Sequence, residues 1–261
     1  MRRLILGLAA VALAGAPASA KMVEKKVGYE VEGTKFAGVL VYDDEAKGKL
    51  PAVLMSPAWD GASKASIEQA KLVAGRRYMV FVADMFGADY APKGPQDMGK
   101  ASGAIRGNLP MMRARINKAL DTFMAEANAT GKADPKKWAA VGFCAGGGHV
   151  LELARQGKDL KAVVVFHADL TTSAVDGPGK IKSRILALQG ADDPIVPKAA
   201  RDKFEDEMRT AKADYAMVAF GGTLHAFTQP ASNDPAHGVK YNPKAAKASY
   251  EMMRDFFAQS F

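Results

Sequence analysis

The hexapeptide Gly142-Phe143-Cys144-Ala145-Gly146-Gly147 carries the sharpest chemical signal in the chain. It follows an apolar run at 138–143 and opens a helical pattern at 146–155. That is the form of a nucleophile elbow with Cys144 in the place of the usual serine. Such a turn holds its nucleophile in a strained conformation. Glycines two before and two after are needed because the neighbouring backbone leaves no room for a Cβ, and Gly142 and Gly146 meet that need. The helix N-terminus beneath Cys144 favours negative charge on sulfur, and the backbone N–H of Ala145 points to where an oxyanion would form. The competing reading, a buried structural cysteine, requires strand, two glycines and helix to coincide by accident.

A nucleophile of this kind needs a base and an acid to orient it, following it in the chain in the order acid, then histidine. The run at 185–188 ends in Gln189-Gly190-Ala191-Asp192-Asp193-Pro194, and the run at 215–220 is followed by Gly221-Gly222-Thr223-Leu224-His225. Both lie at strand C-terminal ends. His225 would take the thiol proton or pair with the thiolate, while the acid fixes its tautomer. Of the other histidines, His149 lies five residues past Cys144 and is expected to pack, His167 ends a strand and is a candidate to line the site, and His237 is expected at the surface. None has the i, i+4 or H-E-x-x-H spacing of a metal site, so neither metal nor other cofactor is expected.

The elements that must position these residues can be read from periodicity. Runs at 25–31 and 36–42, separated by Glu32-Gly33-Thr34-Lys35, predict an N-terminal antiparallel hairpin. Continuous apolar runs at 52–55, 78–83, 138–143, 162–166, 185–188 and 215–220 predict strands buried on both faces. Helical patterns lie between them at 63–74, 109–129, 146–155 and 198–210, with a last one at 243–257. This alternation implies a three-layer α/β sandwich around a mostly parallel sheet. The stretch 84–109, rich in Gly, Pro and Met, is expected to be irregular; at the carboxyl edge of the sheet it is a candidate pocket wall, with a plain surface connection as the equally open alternative.

Composition narrows the class. Among 261 residues, 48% are hydrophobic, 25% charged and 8% aromatic, an ordinary globular balance. One cysteine excludes an internal disulfide and the Cys-rich zinc frameworks. Arg2 and Arg3, an apolar run at 4–15 and Ala18-Ser19-Ala20 read as a secretory signal peptide over 1–20, cleaved near Ala20, with a single domain at 21–261 and an exported, periplasmic or secreted product. The mature protein is expected to lack a membrane span. The formal charge of +8 becomes +6 without Arg2 and Arg3 and forms no cluster interleaved with aromatics, which argues against a nucleic-acid partner. Oligomeric state is not legible.

From about residue 28 to the C-terminus the chain resembles the dienelactone hydrolases, within the α/β-hydrolase fold. The resemblance rests on 142–147, 150–155, the run Gly190-Ala191-Asp192-Asp193-Pro194-Ile195-Val196-Pro197 and 221–227. It implies a Cys144, Asp193 and His225 triad, Asp193 rather than Asp192 being the acid because the x-x-Val-Pro of the family pattern follows it. It also implies the backbone N–H of Trp59 as a second oxyanion donor, beside that of Ala145. Two positions depart from the family. Ala58 stands where those enzymes have a glutamate that contacts the resting thiol, and Gln229 where they have an arginine for the substrate carboxylate. Both departures point away from dienelactone itself. Arg106, Arg113 and Asp60 are candidates to compensate, the arginines as anion holders and Asp60 in place of the glutamate. The expected activity is hydrolysis of a small lactone, ester or thioester through an acyl-enzyme. The alternative is a non-hydrolytic binding protein, or a thiol-redox sensor using Cys144.

Overall fold

The structure, a computed structural model, describes residues 21–171 and 179–261. The expected signal segment at 1–20 lies outside the described residues. Among the described residues no helix is long and apolar enough to cross a membrane.

Among the described residues eight strands form one sheet: β1 (Met22–Val31), β2 (Thr34–Asp43), β3 (Leu50–Ser56), β4 (Met79–Val82), β5 (Ala133–Phe143), β6 (Ala162–Phe166), β7 (Arg184–Gly190) and β8 (Tyr215–Phe220), in the order β1-β2-β4-β3-β5-β6-β7-β8. β1 and β2 are the expected antiparallel hairpin, and β2 is antiparallel to β4. From β4 to β8 every pairing is parallel.

Alternate residues of each strand feed two cores. On one face Ala52, Leu54 and Phe81 pack with Ile116, Leu120 and Phe123 of α3 (Leu109–Ala129), with α4 (Ala145–Arg155) and with Phe204 and Met208 of α5 (Lys198–Thr210). On the other, Val53, Met55 and Val141 pack with Val73 of α1 (Lys64–Ala74) and with Met253 and Phe257 of α6 (Pro243–Ser260). This is the three-layer arrangement that runs of apolar residues without alternation demand.

The topology locates the site. The chain moves outward from β3 to β4 and then returns to the other side of β3 for β5. Crevices open at such reversals, outside the carboxyl ends of the strands. The register brings those ends together, since Ser56 pairs with Gly142, Phe143 with Phe166, Phe166 with Leu188, and Gly190 with Phe220.

The stretch 84–109 departs from expectation. It contains α2 (Pro95–Arg106), whose only buried residue is Ile105. With no apolar stripe there is no periodicity to detect. The helix is set instead by Pro95 in its first turn and by Asp97, whose carboxylate accepts the Lys93 N–H at 2.9 Å. A short ribbon of β9 (Asn233–Asp234) and β10 (Val239–Lys240) is the second element that periodicity does not show.

Candidate active site

Cys144 ends β5 and caps α4 with φ 52° and ψ −121°, a conformation rarely adopted by a residue with a side chain. The turn is tied down by three backbone bonds: Cys144 N–H donates to Phe166 O at 3.1 Å, and its carbonyl accepts from Gly147 and Asp169, each at 3.0 Å. The elbow glycines have their predicted reason. A Cβ at Gly142 would lie 2.4 Å from Gly146 O, and one at Gly146 would lie 2.1 Å from Ser56 O. Helix α4 therefore presses directly on the loop after β3, the loop that carries Trp59.

The Cys144 Sγ lies 3.1 Å from His225 Nε2, and His225 Nδ1 lies 2.7 Å from Asp193 Oδ2. The second oxygen of Asp193 accepts the N–H groups of Ile195 and Val196 at 2.8 and 3.0 Å. Asp193 is buried, whereas Asp192 faces solvent. Arg201, a residue with no sequence signal, holds this acid loop by donating to the carbonyls of Gly190, Ala191 and Val196. The His225 loop is clamped by the ribbon: its N–H donates to Gly238 O at 2.9 Å and its carbonyl accepts from Lys240 at 3.1 Å.

Burial works to discharge His225. The hydrogen bonds to Asp193 and Cys144, and the negative charge of both, outweigh it and push the imidazole up to about 10. The paired ring thus holds its proton more tightly than a free imidazole.

A cavity of about 690 Å³ opens beside Cys144 and His225. Ala58, Trp59 and Ala145 form one side. Gly99, Ser102 and Arg106, spaced i, i+3 and i+7 along α2, form another. The segment 84–109 is thus a pocket wall, though a helical one. Ile195, Val196, Pro197, Ala199 and Ala200 give an apolar side that ends at Lys203, and Gln229 also lines the cavity. Lys203 escaped sequence reasoning because helix α5 is mostly charged and its pocket face is only three residues wide.

The other candidates fall as follows. Arg106 is on the wall, half neutralised by Asp169 Oδ2 at 3.5 Å. Arg113, Asp60 and His167 are not on that wall. Arg113 instead donates to the Glu152 carboxylate of α4 at 2.9 Å. Asp60 turns away, accepting from Ser63 and from Ser66 in the first turn of α1. His167 is wholly buried behind His225. None of the three therefore lines the cavity beside Cys144. His149 is buried, 2.9 Å from Ser56 Oγ, and burial pushes it down to about 4. His237 is exposed and pairs with Asp234. Among the described residues no group of three or more His, Cys, Asp or Glu is placed to hold a metal.

A mostly parallel eight-stranded sheet with a hairpin at its edge and an elbow at the switch point defines an α/β-hydrolase. The chain belongs to the dienelactone hydrolase family, whose model matches residues 36–261. It is 33% identical to the solved structure m3DLH, with a TM-score of 0.85 over 92% of this chain and 99% of that one. It is 31% identical to a dienelactone hydrolase-like promiscuous phosphotriesterase from metagenomic libraries, with a TM-score of 0.85 over 93% of this chain and 100% of that one. A protein of Methylorubrum extorquens provisionally named carboxymethylenebutenolidase is 28% identical over 154 residues, 56% of this chain; the match spans about half, 51%, of that protein.

Proposed function

We propose that the protein hydrolyses a small carboxylic ester, lactone or thioester through Cys144. The observation that carries this reading is the continuous line from Asp193 Oδ2 to His225 at 2.7 Å and from His225 Nε2 to Cys144 Sγ at 3.1 Å, opening on a cavity. Sulfur attacks the carbonyl carbon, and the oxyanion takes the N–H groups of Trp59 and Ala145. The imidazolium Nε2–H then protonates the leaving alkoxide or thiolate, and a thioester bond to Cys144 remains. The neutral Nε2 next takes a proton from water, whose oxygen attacks that bond. The carboxylic acid leaves and Cys144 and His225 recover their starting state. Asp193 holds the tautomer throughout.

Ala58 offers no carboxylate to the thiol, so activation falls to His225 alone. Gln229 and the apolar side next to Lys203 favour an acyl group less highly charged than a dienelactone. The metagenomic relative's phosphotriesterase activity makes a phosphotriester a fair addition to the substrate panel. The N-terminal segment supports export, which fractionation of cells expressing the full chain would test: retention of an uncleaved chain in the cytoplasm would reject it.

Cys144→Ala should abolish turnover of p-nitrophenyl esters, lactones and acyl thioesters by at least about 10³-fold while leaving the melting profile intact, as expected when the nucleophile of a triad is lost. Undiminished turnover in the folded variant would reject a cysteine nucleophile. Iodoacetamide labelling of a wild-type protein that turns over none of the panel would instead favour a binding or redox protein.

A further inference from the structure

His167 carries two local costs that the fold does not explain. It ends β6 with φ 37°, again a conformation rare for a residue with a side chain. Its N–H donates to Leu188 O at 2.8 Å, which holds the strained backbone in place. The side chain is 0% exposed, yet its Nδ1 has no hydrogen-bond partner. A buried nitrogen with no partner beyond its own backbone is costly, and so is a strained backbone position. A phenylalanine would fill the space without the first cost. Costs of this kind concentrate at functional sites.

The ring's neighbours indicate the function. Its centroid lies 5.0 Å from that of His225 in an edge-to-face arrangement, and 5.3 Å from Phe227 at 80°. Its Nε2 lies 2.9 Å from Thr228 Oγ1. Thr228 also accepts from Gln69 of α1, whose amide reaches the hydroxyl of Tyr250 on α6. Thr228 is three residues beyond His225, and Ala226 between them has φ 54°. The loop 225–228 is thus strained and needs anchors at both ends. The ribbon supplies one and His167 the other.

We propose that His167 is a positioning residue for the His225 imidazole: its ring contact confines the plane of His225, and its hydrogen bond to Thr228 holds loop 225–228, so that Nε2 stays on the line from Asp193 to Cys144. This rests on the triad reading above. The titratable groups that face His225 are Asp193, Cys144 and His167 itself. Burial first, and the charge of His225 second, keep His167 well below the usual histidine range. It therefore sets no second positive charge beside the imidazolium.

The test compares His167→Phe, which keeps a ring and loses the hydrogen bond, with Thr228→Val, which keeps the shape and loses the same bond, their double variant, and His167→Gln, which can restore the bond. Each is assayed for p-nitrophenyl acetate hydrolysis and for the pH profile of Cys144 alkylation by iodoacetamide. Each single loss should lower kcat at least about 10-fold with KM within about twofold, on the scale expected of a displaced catalytic group. Each should also shift the alkylation profile. The double variant should fall no further than the worse single one, and His167→Gln should recover part of the loss. Folded single variants with wild-type kcat and an unmoved profile would overturn the proposal. If His167→Phe fails to fold, Thr228→Val decides alone. A wild-type protein without turnover would count against the hydrolase reading, and the alkylation profiles would then judge His167 separately.

Discussion

His225 keeps its charge because both ring nitrogens meet an acceptor, Asp193 on one side and the sulfur of Cys144 on the other. The consequence for stability has a definite sign. The folded-state value, about 10, lies above the ordinary 6.5, so the folded state holds this proton more tightly than the unfolded chain does. The stabilisation is fully present below pH 6.5, erodes as pH rises, and is gone above pH 10. Its slope is at most about 1.4 kcal/mol per pH unit, the value for one proton. Denaturant midpoints of wild type and His225→Gln, measured from pH 6 to 10.5, should therefore converge as pH rises. A constant gap would contradict the paired imidazolium. On the proposed mechanism, kcat/KM should fall on the alkaline side near pH 10, when no proton remains for the leaving group.

At the scale of elements, two hydrogen-bonded turns and one small ribbon position Cys144, Asp193 and His225. Gly238 sits at the base of the ribbon with φ 77°, and a Cβ there would lie 2.2 Å from Pro194 Cγ. Pro194 is rigid and adjoins Asp193. Gly238→Ala should cost about 1–3 kcal/mol in urea denaturation, and it should lower kcat as well because the His225 N–H bonds to the Gly238 carbonyl. Unchanged kcat would show that the ribbon only covers the site. The ribbon was not legible in the sequence: two-residue strands have no period, and the link to His225 is made by backbone atoms. Helix α2 was illegible because Ile105 is its one buried side chain, and the positions 99, 102 and 106 that line the cavity are small or polar. By contrast β6, α3 and α5 have the bounds that their apolar patterns imply, because each lies against a fully buried layer. The elbow was legible because its steric demand falls on glycine identity. The reach of Arg113 and the direction of Asp60 were not, because spacing along a chain does not say which way a side chain turns.

For the whole molecule, the absence of any second cysteine means that stability rests on the two apolar layers either side of the sheet. Aromatic pairs close both: Phe81 stacks on Phe123 at 5.4 Å in one, and Tyr78 meets Phe257 edge-on at 5.6 Å in the other. A reducing agent should leave the melting temperature of freshly purified protein within about 1 °C, since no crosslink constrains the unfolded chain. A larger drop would reveal an intermolecular disulfide through Cys144 and, with it, a dimer.

The Gly238 contact has one more consequence. Acid loop and histidine loop meet in a seam where the Pro194 ring lies against Gly238 and the His225 N–H donates to the Gly238 carbonyl, while Cys144 belongs to a separate turn between β5 and α4. The imidazole and its carboxylate are therefore held by one seam and the sulfur by another. Any shift between these two units would be felt first in the 3.1 Å gap between the sulfur and Nε2.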